Sequence, residues 1–293
     1  MRCKKILGSK GSQQLQQPCC QNSGQQQKLP QPAVLIPAVD GSIPRLAALN
    51  LQPHEVITLV GGGGKTSLMY ALTAELAVAG ARIIITTTTK IMLPKPEDVN
   101  CLLVAAPEQL LNHLRHGLTP QKIIGVGSAI HGDKLIGIPP QLVDELAASD
   151  IVDYILVEGD GAAGRPFKAP AKHEPVIPHC STRVLTVVGL DALNAPLNAA
   201  NCHRPELIAT LSGLIIGKPI QATHIAQVLY SPQGGRKNVP PTALWLPVIN
   251  KVDDEIKLAK ATEIAAALAA AGAKDIIFTS TLNRQLKMQL WQG

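Results

Sequence analysis

Four consecutive glycines, a lysine and two hydroxyl residues follow an apolar run in the stretch VGGGGKTS, residues 60–67. Glycines allow backbone N–H groups to come close to a polyphosphate, and a helix that begins after them adds partial positive charge. A lysine at this spacing reaches the β- and γ-phosphates, and one of the two hydroxyls is suited to ligate Mg²⁺. The predicted phosphate-binding residues are Gly61, Gly62, Gly63, Gly64, Lys65, Thr66 and Ser67.

This loop is shorter than the full P-loop pattern G-x-x-x-x-G-K-[ST], because Leu59 stands where that pattern has its first glycine. Its spacing is the same as that of the GTNGKT loops with which Mur-type amide ligases bind ATP. A dinucleotide-binding G-x-G-x-x-G pattern fits less well, since it would begin at Gly61 and end at Thr66. A flexible turn in front of a helix is the alternative.

Two further segments end in residues suited to a magnesium-phosphate site. The apolar run DYILV leads to Glu158 and Asp160, and the run III leads to four threonines that include Thr88. Hard carboxylate oxygens suit Mg²⁺, and an acid or a hydroxyl can orient the attacking group. We predict that Glu158 and Asp160 supply these groups: one ligates the metal together with the Thr66 or Ser67 hydroxyl, and the other, or a threonine, orients the nucleophile. Arg165 is predicted to neutralise charge on the transferred phosphate. The alternative is a glycine-rich turn with solvated acids.

The segment INKVDDE near the carboxyl end contains the N-K-x-D pattern of guanine-binding proteins, as Asn250, Lys251 and Asp253. A carboxylate can accept from N1–H and the exocyclic amine of guanine together, which adenine cannot match, while the lysine stem lies along the ring. The later segment IIFTSTLN is placed where such proteins bring a backbone N–H to guanine O6. The alternative is that Asp253 or Asp254 only caps the following helix.

The elements that must position these residues are short β-branched runs alternating with helix-like stretches, the pattern of β-α-β units around a parallel sheet. The predicted strands are 55–60, 82–87, 101–104, 122–126, 154–158, 183–189, 244–249 and 275–279. Two long periodic segments predict helices that end at Gly80 and Gly272. The expected fold class is α/β, P-loop NTPase-like, with a mostly parallel sheet and helices on both faces, formed by residues 43–293.

Composition and charge exclude several classes of function. The net charge is +6, but five of these charges lie in residues 1–39, which contain no acid, so the remaining chain is nearly neutral. Aromatic residues make up only 2%, too few for stacking on single-stranded nucleic acid. We find no apolar run of membrane-spanning length and no secretory signal, and therefore expect a cytoplasmic protein without nucleic-acid or membrane partners. The basic, Gln-rich segment 1–42 is predicted to be disordered.

Six motifs resemble those of the YqeC family, which is described as accessory proteins of selenium-dependent molybdenum hydroxylases. These motifs are LVGGGGKTSLMYALTAEL, TTTTKI, VEGDGAAGRPFKAPAKHEPVIP, VVGLDAL, HRPE and INKVD. The resemblance covers about residues 43–293 and implies a cytoplasmic P-loop protein associated with maturation of selenium-containing molybdenum hydroxylases. The VEGDG segment also resembles the VEGxG strand end of dethiobiotin synthetase, which implies a Mg²⁺ role for Glu158 and Thr66.

The family motifs also contain charged residues that could bind a second, anionic substrate such as a pterin phosphate. These candidates are Lys168, Lys172, His173, Asp191, Arg204 and Glu206. Solvated loop charges are the alternative for each of them.

The expected function is therefore Mg²⁺-dependent binding and hydrolysis of GTP (or ATP) by an accessory protein. This protein would assist maturation or insertion of the cofactor of a molybdenum hydroxylase, its expected partner. The alternative is an ATP- or GTP-dependent kinase or amide ligase that acts on a small anionic, pterin-like substrate. A nucleotide-gated binding module with negligible hydrolysis is a third interpretation.

Overall fold

The computed structural model describes residues 44–117, 122–282 and 285–293. The tail predicted to be disordered, residues 1–42, lies outside these ranges. The strands are β1 (Glu55–Gly61), β2 (Ile83–Thr87), β3 (Lys90–Met92), β4 (Cys101–Val104), β5 (Ile123–Gly127), β6 (Ala129–His131), β7 (Lys134–Ile136), β8 (Tyr154–Glu158), β9 (Phe167–Lys168), β10 (Arg183–Gly189), β11 (Cys202–His203), β12 (Leu244–Asn250), β13 (Asp275–Ser280) and β14 (Lys287–Gln292). The α-helices are α1 (Lys65–Val78), α2 (Pro107–Gly117), α3 (Pro140–Ala147), α4 (Pro205–Ser212), α5 (Ala222–Tyr230) and α6 (Glu255–Ala270), and short 3₁₀ helices lie at Pro44–Leu49 and Leu190–Ala192.

Nine strands form one sheet in the order β14-β13-β12-β10-β1-β8-β2-β5-β4. The strands from β13 to β4 in this order are parallel to one another, and they are the eight strands predicted from the sequence, with boundaries that agree to within one residue. Strand β14, which was not predicted, adds antiparallel to β13 at one edge.

Helices cover both faces of this sheet. Helix α1 packs on one face through Leu68, Leu72 and Leu76, whose spacing of four residues aligns them towards the strands. Helices α2 and α3 cover one half of the opposite face, and α4, α5 and α6 cover the other half. The predicted α/β fold with a mostly parallel sheet and helices on both faces is thus confirmed. The helices predicted to end at Gly80 and Gly272 do end just before these glycines.

Strand β1 lies between β8 and β10 in the middle of the sheet. The chain leaves β1 through α1 towards β2 on the β8 side, whereas β10 lies on the opposite side of β1. Parallel sheets form a crevice outside the carboxyl ends of their strands where the direction of winding changes in this way. The glycine loop after β1 and the acids after β8 therefore meet in one crevice.

Two smaller sheets accompany the main one within the described residues. Strands β3, β7 and β6 form an antiparallel sheet, and β9 pairs parallel with β11. In the ranges that the structure describes, no helix combines the length and the apolar character needed to cross a membrane.

Candidate functional site

The glycine loop is a tight turn held by neighbouring backbone. The amide of Gly62 donates to the Val187 carbonyl at 2.8 Å, and the amide of Gly63 donates to the Arg165 carbonyl at 2.9 Å. Gly63 has a φ of +77°, and a Cβ placed on it would lie 2.0 Å from the Gly189 nitrogen. A side chain at this position would therefore displace either the loop or the end of β10.

This hydrogen bonding changes the expected phosphate contacts. Because the amides of Gly62 and Gly63 bond to carbonyls, and that of Gly61 donates to the Asp160 carboxylate at 3.1 Å, these three amides do not point free into the crevice. Helix geometry leaves the amides of Lys65 and its two successors in the first turn of α1 without intrahelical acceptors. The amides best placed to accept an anion are therefore those of the helix start, and not those of Gly61, Gly62 and Gly63.

Lys65 is buried between the two predicted acids. Its Nζ donates to the Gly61 carbonyl at 2.7 Å and lies 3.3 Å from an Asp160 oxygen and 3.6 Å from a Glu158 oxygen. Its side chain is only 3% exposed. Lys65 therefore offsets part of the negative charge of the two acids beneath the loop. It lies at the end of β1, where the phosphates are predicted to bind.

Thr66 and Glu158 lie together, as the predicted metal pair requires. The Thr66 hydroxyl, in the first turn of α1, donates to the Glu158 carboxylate at 2.6 Å. Burial raises the pKa of Glu158, while Lys65 and the Thr66 hydroxyl oppose this shift. A buried carboxylate and a hydroxyl at this distance, both hard oxygen donors, fit a shared Mg²⁺ ion, which would also relieve the cost of the buried charge.

The Asp160 carboxylate is in contact with three donor groups. Besides the Gly61 amide and Lys65, its carboxylate contacts the Lys168 Nζ at 2.9 Å, and the residue is 2% exposed. This carboxylate anchors the loop against β9. Its predicted role, to orient a nucleophile, stays a prediction. Lys65 and Lys168 already contact the carboxylate, and an attacking water molecule would have to reach past them.

The threonines at the end of β2 bind β8 and the segment that follows it. The Thr87 hydroxyl donates to the Glu158 carbonyl at 2.7 Å, and that of Thr88 donates to the Val176 carbonyl at 2.6 Å. These hydroxyls therefore fix the backbone around the metal pair. Thr88 is half-buried, whereas Ser67 and Arg165 are exposed.

The N-K-x-D segment lies at the ends of β12 and β13. The Asn250 amide donates to the Gly63 carbonyl at 2.9 Å and accepts from the Thr279 hydroxyl at 3.0 Å. The Asp253 carboxylate accepts from Ser280 at 2.5 Å and from Lys257 at 2.7 Å. Asn250 thus connects the glycine loop to this end of the sheet, while Ser280 fixes one side of Asp253.

The helix cap expected as the alternative is provided by the next residue. The Asp254 carboxylate accepts from the Lys257 amide at 2.8 Å at the start of α6. Asp253 is therefore not the N-cap. Lys251 has a φ of +70°, and its Nζ lies 2.6 Å from Asp191, so the structure brings the second-substrate candidate Asp191 to the N-K-x-D segment.

Known proteins match this chain across the glycine loop and the acids. A model of the YqeC protein family matches residues 57–206. A segment of 186 residues is 36% identical to the uncharacterized protein YqeC of Escherichia coli strain K12, covering 63% of this chain and 71% of that protein. The chain belongs to the YqeC family. Asn250 and Asp253 lie beyond the part that the family model matches.

Within the YqeC-family segment, two of the cations that were predicted to bind a second substrate, Lys168 and Arg204, are paired with an acid. Glu174 accepts from the Lys168 Nζ at 2.8 Å and from both terminal nitrogens of Arg204, at 2.7 and 3.1 Å. Burial alone would raise the pKa of Glu174, but the hydrogen bonds from Arg204 and Lys168 outweigh it and lower the pKa to about 2. Lys168 and Arg204 are therefore neutralised by the fold.

The remaining four members of that set are exposed: Lys172, His173, Glu206 and Asp191, the last of which is paired with Lys251. Sequence reasoning missed Glu174, although an acid among several lysines and arginines of one motif block was a signal for an internal ion pair. It also missed Tyr70, which stands one helical turn after Thr66 and hence on the same side of α1.

Proposed function

We propose that this YqeC-family protein is a P-loop NTPase that binds GTP with Mg²⁺ in the crevice after β1 and hydrolyses it. The observation that carries the proposal is the contact of Thr66 with Glu158, with Lys65 buried beside both. A helix start, a lysine, a hydroxyl and a buried acid together supply the positive potential and hard oxygens that a magnesium-nucleotide requires.

Each part of the phosphate site has a distinct role in this proposal. The amides of the first turn of α1 bind phosphate oxygens, and Lys65 exchanges the Gly61 carbonyl for a phosphate. Thr66 and Glu158 would hold Mg²⁺, which supplies charge neutralisation when bound. Arg165, whose side chain is exposed, would turn towards the transferred phosphate.

Preference for guanine is supported by the placement of Asp253. Ser280 and Lys257 orient its carboxylate, the capping role belongs to Asp254, and Asn250 connects this end of the sheet to the glycine loop. A carboxylate held in this manner can accept two hydrogen bonds from guanine, whereas adenine presents an acceptor in place of one of the two donors.

The accessory role completes the proposal. Family membership supports an assignment in which nucleotide turnover assists maturation or insertion of the cofactor of a selenium-dependent molybdenum hydroxylase. The kinase or ligase alternative rested in part on a cation cluster, and two members of that cluster, Lys168 and Arg204, are paired with Glu174, while Lys168 also contacts Asp160.

The first test is a competition titration of GTP, ATP and CTP with Mg²⁺ on the full chain. We expect GTP to bind at least tenfold more tightly than ATP, and Asp253→Asn to remove most of this preference. Asp254→Ala is the matched control: it removes the α6 cap, which costs about 1 kcal/mol of stability, but should leave the nucleotide preference unchanged. A preference for ATP or CTP, or equal effects of both substitutions, would overturn the guanine assignment.

A further inference from the structure

A second concave site adjoins the metal pair along the outer side of α1. It is a cavity of about 350 Å³, large enough for a small organic molecule. Its walls come from α1, the segment after β3, the start of β5 and the end of β13. We call it the α1 groove, and its main lining residues are Thr66, Ser67, Tyr70, Ala74, Leu93 and Asp98.

The groove begins at the proposed magnesium-nucleotide site. Thr66 lines it and donates to Glu158, and the exposed Ser67 is its neighbour in the first turn of α1. A molecule in the groove would therefore lie against the same helix turn whose amides face the phosphates. This contiguity makes it a place for a second ligand of the proposed nucleotide site.

Tyr70 presents an unsatisfied polar atom among the groove residues. Its hydroxyl is buried and has no hydrogen-bond partner among the described residues, a state that costs free energy and is uncommon in native proteins. Burial, then Asp98 and Glu158, raise the pKa of Tyr70, so the hydroxyl keeps its proton and acts as a donor. A ligand with a hydrogen-bond acceptor would satisfy it.

The other walls define what kind of molecule fits. Ala74, Leu93 and Ile123 give the groove an apolar surface, and the small side chain of Ala74 lets a flat ring lie close to the helix. The charged residues on its rim are one lysine, Lys95, and the two acids Glu97 and Asp98. The apolar wall and a rim that carries both signs of charge favour an uncharged ligand over the anionic substrate expected from the sequence.

We propose that the α1 groove binds a small, uncharged, planar heterocycle whose carbonyl or ring nitrogen accepts a hydrogen bond from Tyr70, as a second ligand beside the nucleotide. Only the position of this ligand beside a nucleotide rests on the proposed function. The groove, the unpaired Tyr70 hydroxyl and the apolar wall define the class of ligand independently of it.

The test uses quinazolin-4-one, a neutral bicyclic lactam, as the probe on the full chain, with binding followed by ligand-observed NMR titration. Ala74→Trp fills the groove without touching the glycine loop, and we expect it to weaken probe binding at least tenfold. Val78→Trp adds the same bulk one turn later, at a position 83% exposed and outside the groove, and should leave binding unchanged. Tyr70→Phe removes only the donor and should weaken binding about fivefold to tenfold.

Several outcomes would overturn the proposal. They are the absence of saturable probe binding to the wild type up to millimolar concentration, equal effects of the two tryptophan substitutions, and full probe affinity in Tyr70→Phe. Displacement of the probe by GTP, or loss of GTP affinity in Ala74→Trp, would assign the groove to the nucleotide itself. A chain that binds the probe but no nucleotide would retain the groove as a ligand site and refute the proposed function instead.

Discussion

Glu158 carries a charge that the fold itself disfavours. Because burial raises its pKa, the ionised carboxylate destabilises the native state, and this cost appears as the pH rises above the carboxyl's ordinary value of 4.5. A metal ion is a natural compensation for such a charge. The same residue would then limit the stability of the protein and enable its chemistry.

Glu158→Gln should therefore separate stability from function. We expect a higher free energy of unfolding at neutral pH, a gain that fades below about pH 4.5, together with loss of Mg²⁺-dependent nucleotide turnover. Urea unfolding at several pH values and a phosphate-release assay measure the two effects. Glu145→Gln, an exposed acid on α3, should change neither. A less stable variant that retains turnover would contradict the metal assignment.

For single residues, the sequence predicted the candidate site where the chemistry depends on residue type and local position. Glu158 could be placed beside the glycine loop because the carboxyl ends of parallel strands meet at one edge of a sheet, whereas its pairing with Thr66 was implied by the resemblance to dethiobiotin synthetase. The partners of Asp160 could not, since the contact with Lys168 depends on how a glycine-rich segment folds back under the loop. Tyr70 was indistinguishable from an ordinary helix residue before the cavity was known.

The glycine loop shows how one element depends on another. Its conformation is set by contacts with the end of β10 and with the segment around Arg165, and these contacts use the amides that an anion would otherwise receive. The loop is therefore a packed turn, and the phosphate binding that we propose would depend on the start of α1 that it positions.

Gly63→Ala should disrupt this element. A Cβ would approach the Gly189 nitrogen to 2.0 Å in a backbone conformation that alanine disfavours, so we expect a loss of about 2–4 kcal/mol in stability and at least a tenfold loss of nucleotide affinity. Thermal unfolding and nucleotide titration give the two numbers. Gly161→Ala, in the same crevice but with open space around the new methyl group, is the control and should behave like the wild type. If both alanines were tolerated equally, the close packing of the loop would be refuted.

The elements of the main sheet were predictable because β-branched, buried runs separated by helical periodicity leave few alternatives. Strand β14 was missed since it lies at the sheet edge without a regular alternation of buried and exposed residues, and Trp291 is its one buried residue. Short strands such as β9 and β11 were missed for a different reason: they are two residues long and exist only because their segments meet.

Across the whole molecule, opposite charges alternate from the glycine loop to α4. Lys65 contacts Asp160, Asp160 contacts Lys168, and Lys168 contacts Glu174, which in turn binds Arg204. These residues are separated by as many as 139 positions, since the network runs from Lys65 to Arg204. No local pattern encodes such an arrangement, although the sequence placed each residue in a candidate site or motif.

This network should give the protein a defined sensitivity to acid. The pKa of Glu174 is about 2 in the folded chain, below its ordinary value of 4.5, so its stabilisation is fully present above pH 4.5 and is lost as the pH falls towards 2. We expect Glu174→Gln to cost roughly 3 kcal/mol at pH 7 and progressively less below pH 4.5, because protonation removes the same charge from the wild type. Urea unfolding at pH 7, 4 and 3 measures the difference, and Glu206→Gln, an exposed acid of α4, serves as the control. A difference that stays constant over this range would show that Glu174 stabilises the fold through packing, and the charge network would then have no part in the acid response.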